Sequence, residues 1–231
     1  MGTDRFEVEE VAFVGRTFEE YRHMFDLSEA DLRGESVLDC PGGAGSFVAT
    51  AAERGIDATA VDVMYDRPPA ELAECCRADA AALVEQLPEK RDLFVWEFYD
   101  DIADRAAYFE RAHDRFLADY PAGRTAGRYC YGELPTLPFP DGAFSVVLSA
   151  HLLFLFGDRF DYEFHVASLR EFARVARDEV RVFPLTGLDT APYDRLGDVI
   201  EALDADGYGV ERRPVPFEFQ QGATEMLVVT V

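Results

Sequence analysis

Val37-Leu38-Asp39-Cys40-Pro41-Gly42-Gly43-Ala44-Gly45-Ser46-Phe47 is the stretch on which the reading of this chain turns. A short apolar run beginning at Ser36 ends in an acid and then a glycine cluster, the pattern of a buried strand entering a tight turn. Residues 47–54 are alanine-rich and stop at Gly55, as a helix closed by glycine does. Residues 58–62, Ala-Thr-Ala-Val-Asp, then read as a second strand. Strand, glycine turn, helix and strand in close succession make a βαβ unit, which crosses over right-handed and starts a parallel sheet.

Upstream, Thr17 followed by Glu20 fits a capping box and opens a helix, and Ser28 with Asp31 repeats the signal for a shorter one. Downstream, strands are expected at 128–131, 144–148 and 180–183, with helices at 162–176 and 193–203. Two alternating runs, 209–217 and 224–231, are joined by Gln220-Gln221-Gly222 and must be antiparallel to each other. The expected architecture is one α/β domain over 1–231, with a mostly parallel seven-stranded sheet finished by an antiparallel hairpin. Residues 63–127 are too long for a simple crossover. Stretches 70–87 and 102–120 both read as helices, the second with Phe98, Ile102, Phe109 and Phe116 or Leu117 at helical spacing. One helix makes the crossover and the other is an insertion after the second strand. At the carboxyl edge of the sheet, where open α/β sheets bind ligands, 70–87 with Tyr65 and Asp66 before it would act as a lid.

Glycines in the opening stretch let the backbone turn tightly and let a ligand approach closely. The start of the following helix offers free N–H groups and partial positive charge. Asp39, placed before the glycines, would repel a pyrophosphate but could accept from a cationic amino group. The dinucleotide pattern read from Gly43 is Gly43-x-Gly45-x-x-Val48, with the third glycine missing. Asp62, at the end of the second strand, can accept both hydroxyls of a ribose.

With those residues the chain resembles the class I S-adenosylmethionine-dependent methyltransferases, whose first motif runs D-x-G-x-G-x-G after a strand. Asp39, Gly43 and Gly45 match, and Pro41 stands where the first glycine usually is. The resemblance continues at Asp62 and again over 132–144, Gly-Glu-Leu-Pro-Thr-Leu-Pro-Phe-Pro-Asp-Gly-Ala-Phe, which is similar to the family's G-D-A-x-x-L-P-F-x-D-x-x-F segment. It implies a doubly wound, Rossmann-like fold and S-adenosyl-L-methionine as cofactor. It further implies that Glu133 accepts from the adenine amino group, and that the N–H of Leu134 meets a ring nitrogen. Cys40, Pro41, Gly42 and Val63 join Asp39, Gly43, Gly45 and Asp62 in the implied binding set. Ser149 leads into Ala150 and His151, where the family places the methionine portion and the reacting methyl. The match runs over 36–174 with the insertion excluded, and the family's P-G-G turn before the fifth strand is replaced by Ala176-Arg177-Asp178.

Methyl transfer from a sulfonium is an in-line displacement that depends mainly on alignment and on excluding water. A general base is needed only if the acceptor loses a proton as it attacks. His151 is the candidate base, with a structural hydrogen bond as its alternative role. His165 reads as structural, His113 as lying on the polar side of its helix, and His23 carries no supporting pattern. Tyr21 and Met24 could cover the methionine end. Phe154 and Phe156, with Phe94, Trp96 and Phe98, could form an aromatic wall or simply core.

The composition bounds the partners. The formal charge is −23, from 45 acidic and 22 basic residues, and Lys90 is the only lysine. Such a surface resembles cytosolic proteins of salt-loving microbes, hydrated by carboxylates. It argues against nucleic acid as partner, since phosphate contacts need clustered cations. A small-molecule acceptor is expected instead. No Asn/Asp-Pro-Pro-Tyr motif is present, Arg67-Pro68-Pro69 being the nearest thing. The four cysteines form no C-x-x-C pair and no zinc spacing, so reduced thiols and no structural metal are expected. The acidic start MGTDRFEVEE lacks signal-peptide character, and the longest apolar stretch, 143–156, is too short to span a bilayer. A cytoplasmic location without membrane attachment follows as an expectation. Two rival functions remain: an adenosyl-ligand-binding regulator without catalysis, and a nicotinamide-dependent oxidoreductase. Against the latter stand Asp39, the missing glycine and the absence of a Tyr-x-x-x-Lys pair, since Gln86 lies four residues before Lys90.

Overall fold

Alternating apolar residues place both faces of a central sheet in contact with helices. The computed structural model describes residues 5–8 and 10–231. The first half contains α1 (Phe18–Met24), α2 (Glu29–Leu32), β1 (Ser36–Asp39), α3 (Phe47–Glu53), β2 (Asp57–Asp62), α4 (Pro69–Gln86), α5 (Ile102–Thr125) and β3 (Tyr129–Tyr131). The second half contains β4 (Phe144–Ala150), α6 (Tyr162–Val175), β5 (Ala176–Phe183), α7 (Leu196–Ala205), β6 (Gly209–Pro214) and β7 (Glu225–Thr230).

The sheet order is β3-β2-β1-β4-β5-β7-β6. Strands β1 to β5 are parallel, and β7 runs antiparallel to both β5 and β6. This is a doubly wound, mostly parallel, seven-stranded Rossmann-like α/β sheet closed by an antiparallel hairpin. The order reverses between β1 and β4, and a crevice opens beyond the carboxyl ends there. Val37, Leu148 and Val228 point into a core shared with α1, α3 and α5. Their neighbours Leu38, Val147 and Val229 point to the opposite core under α6 and α7. The two-residue period of a strand produces that split. Every residue of β4 is buried, as suits a central strand covered on both faces.

The capping boxes at Thr17 and Ser28 both form. Helix α5 packs on α3 and β3 and so makes the crossover, while α4 lies on α5. Helix α5 runs past the expected 102–120, its last turn held by the Arg128 amide, which donates to the Gly123 carbonyl at 2.8 Å. Gly123 lies so close to the Tyr129 ring that a Cβ would come within 2.4 Å of it. Strand β6 stops at Pro214 rather than at 217, because Pro214 and Pro216 cannot donate to a ladder. Strand β5 starts at Ala176, directly after α6, because pairing with Phe144 overrides its charged residues.

Two expectations are corrected. His113 is 3% exposed, packed beside Phe109, and burial pushes its pKa down to about 4. Four residues past Phe109 and three before Phe116, it belongs to the apolar stripe rather than to the polar side. Tyr65 is no part of a lid. It is 1% exposed, under Gly42, and its hydroxyl donates to the Gly43 carbonyl at 2.7 Å.

Candidate functional site

A cavity of about 490 Å³ opens at the switch point of the sheet, within the size range of small-molecule sites. One end is built from the tips of β1, β2 and β3. Gly42 and Gly43 turn the chain away from β1, and neither tolerates a side chain. A Cβ on Gly42 would lie 2.5 Å from the Tyr65 hydroxyl, and one on Gly43, whose φ is +52°, 2.3 Å from the Val14 carbonyl. The amides of the turn are all spent internally. Gly42 donates to Val61, Ala44 to Val14, Gly45 to Gly42 and Ser46 to Arg16, all to carbonyls. Gly43 donates to Asp62 Oδ2 at 2.9 Å.

Asp62 Oδ1 also accepts from the Met64 amide, which fixes the carboxylate at the lip of β2. Burial raises its pKa, and the two backbone donors oppose that rise. Asp39 is 1% exposed, its Oδ1 accepting from the Tyr21 hydroxyl at 2.7 Å. Burial pushes Asp39 up to about 8, with the Tyr21 hydrogen bond opposing and the Asp62 charge adding. Neither carboxyl forms an ion pair among the described residues. Cys40 follows Asp39 in the chain, and burial, then the charges of Asp62 and Asp39, pushes its thiol up, so it stays protonated.

The roof is formed by residues 6–8 and 10–16 before α1, which the sequence pattern did not disclose. Phe6, Val8, Phe13, Val14 and Arg16 line the cavity from it. It is pinned at Leu188 by the Phe6 amide, at Asp79 of α4 by the Phe13 amide, and at the glycine turn through Val14 and Arg16. Gly15 makes this possible, since a Cβ there would sit 2.0 Å from the Ala44 carbonyl.

The far end is aromatic. Phe94, Phe156, Phe160, Phe164 and Phe219 line it, with Leu83 of α4 and Leu87 just past its end. His151 follows β4 with a φ of +55°, an uncommon conformation for a residue with a side chain. It lines the cavity, and its enclosed Nδ1 has no hydrogen-bond partner. Burial, then the charges of Arg16 and Arg105, hold its pKa well below the usual histidine range, so the ring is neutral. Arg105 of α5, 2% exposed at its side chain, lines the cavity too. Its guanidinium lies 3.6 Å from the Phe109 ring centroid, and burial pushes its pKa down to about 10.

Of the residues singled out from sequence, Cys40, Pro41, Gly42, Gly43, Asp62, Val63, Glu133, Leu134 and His151 all border this one cavity. Asp39 and Gly45 stand one layer behind it, Asp39 reaching it through Tyr21. Ser149 is fully buried, and its Oγ has no partner. Phe94 and Phe156 join the wall, whereas Phe154 stacks on His165 and Phe98 packs against Tyr99. His165 bonds the carbonyls of Asp161 and Leu153, a structural role. Met24 is fully buried core. The segment 137–141 is tied down by Arg174, which donates to the Phe139 carbonyl and pairs with Asp141 and Glu171. Sequence reasoning missed Arg16, Glu20 as a buried charge, and Arg105. For Arg105 a signal existed, since it falls between Ile102 and Phe109 on the apolar stripe. Among the described residues, no helix is long and apolar enough to cross a membrane.

No protein-family model matches the chain. An uncharacterized protein of Methanocaldococcus jannaschii is 28% identical over 223 residues, covering 96% of this chain and 97% of that one. Similar solved structures include an S-adenosylmethionine-dependent methyltransferase from Aquifex aeolicus, 15% identical, covering 91% of each chain with a TM-score of 0.44. Another is the magnesium protoporphyrin IX methyltransferase of Synechocystis PCC 6803 with bound S-adenosylmethionine. It is 14% identical, covering 87% of this chain and 72% of that one with a TM-score of 0.42.

Proposed function

We propose that the chain transfers a methyl group from S-adenosyl-L-methionine to a small molecule. The observation that carries this reading is the pair Asp39 and Asp62, buried without a counter-ion on either side of a glycine turn whose amides are already spent. A dinucleotide pyrophosphate needs free amides and no nearby carboxylate. A ligand with a cationic amino group and a ribose suits what is there. The cofactor therefore fits this donor set.

Asp62 would accept from the ribose hydroxyls through lone pairs its backbone donors leave free. Glu133 and Leu134 would meet the adenine, with Cys40, Pro41, Gly42, Gly43 and Val63 forming the close floor. Asp39, one layer behind the cavity, would act on the amino group through the Tyr21 hydroxyl that it holds. Bound there, the cofactor supplies an electrophilic methyl. His151, neutral and lining the cavity, can accept a hydrogen bond from the acceptor's O–H or N–H through a ring nitrogen and orient it. With so low a proton affinity it is a weak base, so its contribution is alignment more than proton removal. The roof segment and the aromatic wall exclude water. Leu83 and Leu87 at the end of α4 close the cavity on one side, in keeping with a lid role for that helix.

Calorimetric titration in high salt with S-adenosylmethionine, S-adenosylhomocysteine and NAD tests the reading. Binding of the two adenosyl ligands without NAD is expected. Binding of NAD alone would overturn the proposal.

A further inference from the structure

The aromatic end of the cavity holds an imbalance of charge. Arg16 and Arg105 both border it and share one carboxylate, Glu20, at 3.6 and 3.8 Å. Those distances lie beyond a hydrogen bond. Glu20 is fully buried and its oxygens are committed elsewhere. Oε2 accepts from the Thr17 amide at 2.7 Å and its hydroxyl at 2.9 Å, and Oε1 accepts from the Tyr99 hydroxyl. Two guanidiniums therefore share one enclosed acid that hydrogen-bonds neither of them, Glu10 of the roof being a further acid that borders the cavity.

Arg105 is the more exposed to this mismatch in the chemical sense. Its Nη1 is buried and has no hydrogen-bond partner among the described residues. Phe109, Tyr99 and Phe219 surround the guanidinium at 3.6, 4.8 and 5.6 Å from their centroids. Ring contacts of this kind satisfy the cation's face and leave its N–H edge unused. A planar fork with free donors in an apolar enclosure matches a carboxylate, which it can hold in two parallel hydrogen bonds. The chain as a whole carries −23, so this local surplus of positive charge is not a property of its surface.

We infer that the methyl acceptor is an apolar organic acid whose carboxylate is held by Arg105, with Arg16 as the second cation and its hydrophobic body against Phe94, Phe156 and Phe219. This rests on the methyl-transfer reading above. Arg105 lies against Phe219, which lines the aromatic end, and on that ground its anion is assigned to the acceptor rather than to the cofactor. His151 borders the same space and can receive a hydrogen bond from the group to be methylated.

The test is calorimetric, on the full chain saturated with S-adenosylhomocysteine, using biphenyl-4-carboxylate and biphenyl-4-carboxamide as probes. The acid should bind about 10- to 100-fold more tightly than the amide, the ratio a charge-assisted hydrogen-bonded pair supplies. Arg105→Met should erase that preference, and Arg105→Lys should restore part of it. Unchanged affinity for S-adenosylhomocysteine in both variants shows that they fold. Equal affinity of the native protein for acid and amide, or binding of neither, overturns the inference. So does a loss of S-adenosylhomocysteine affinity in Arg105→Met with 5′-methylthioadenosine affinity unchanged, which would assign Arg105 to the cofactor's own carboxylate. If the native protein binds no adenosyl ligand, the cofactor reading fails. The acid-over-amide preference, measured without cofactor, then still decides the arginine site separately.

Discussion

The two ends of the cavity are built in opposite ways. The β1–β2 end comes mostly from one contiguous unit, in which the Gly42, Gly43 and Gly45 amides, Asp62 and the Tyr65 hydroxyl find partners within a short length of chain. The Ala44 and Ser46 amides donate instead to the roof, at Val14 and Arg16. The aromatic end is assembled from the roof segment, α1, α4, α5, the residues after β4 and the loop near Phe219. Buried acids without counter-ions among the described residues mark the first end, and two enclosed guanidiniums sharing Glu20 mark the second. A site of local origin can be rigid before any ligand arrives, whereas one collected from distant segments depends on their packing. The first suits a cofactor of constant shape; the second is where a substrate preference can be set.

If the aromatic end depends on packing, its buried acid should matter most for stability. Glu20→Ala strands two guanidiniums and three donors, and should cost about 3–5 kcal/mol in denaturant unfolding, the usual effect of breaking a buried pair. A loss below about 1 kcal/mol, the range of exposed pairs, would show that water reaches these arginines freely. The contrasting variant at the other end is Asp62→Ala. It should weaken S-adenosylhomocysteine binding by about 1.5–3 kcal/mol through loss of hydrogen bonds to a charged group. Titration of that variant checks it, and unchanged affinity would remove Asp62 from the cofactor site.

A pH titration sharpens the electrostatic side of the comparison. Asp39 has a folded-state pKa of about 8, above its unfolded value. The native state therefore holds a proton that the unfolded state releases, and stability falls as pH rises between the two values. One such group gives a slope approaching about 1.4 kcal/mol per pH unit within that window. Asp39→Asn mimics the protonated form and should remove this component. Unfolding free energies of native and variant protein from pH 5 to 8 should diverge steadily, and parallel curves would show that Asp39 is ionised in the native state.

The strand, turn and helix from Ser36 to Asp62 were legible in the sequence because everything they need is local. An apolar run, glycines where a Cβ would clash, and acids at two strand ends all act over a few residues. The segment around Glu133 and His151 was legible for the same reason, each lying just past a strand that pattern alone locates. The roof was not, since its hold comes from hydrogen bonds to Asp79, Ala44, Ser46 and Leu188 rather than from any periodicity of its own. Glu20 could be recognised as a cap, but its burial beneath Tyr99 and Arg105 could not. His113 and Tyr65 changed places between surface and core because burial is decided by what packs against a residue. The sequence by itself determined the sheet, the glycine turn and the acids at its edge, through short-range sterics and strand period. Only the tertiary structure decided which charges share one apolar enclosure, because desolvation and Coulomb attraction depend on distance in space and not on separation along the chain.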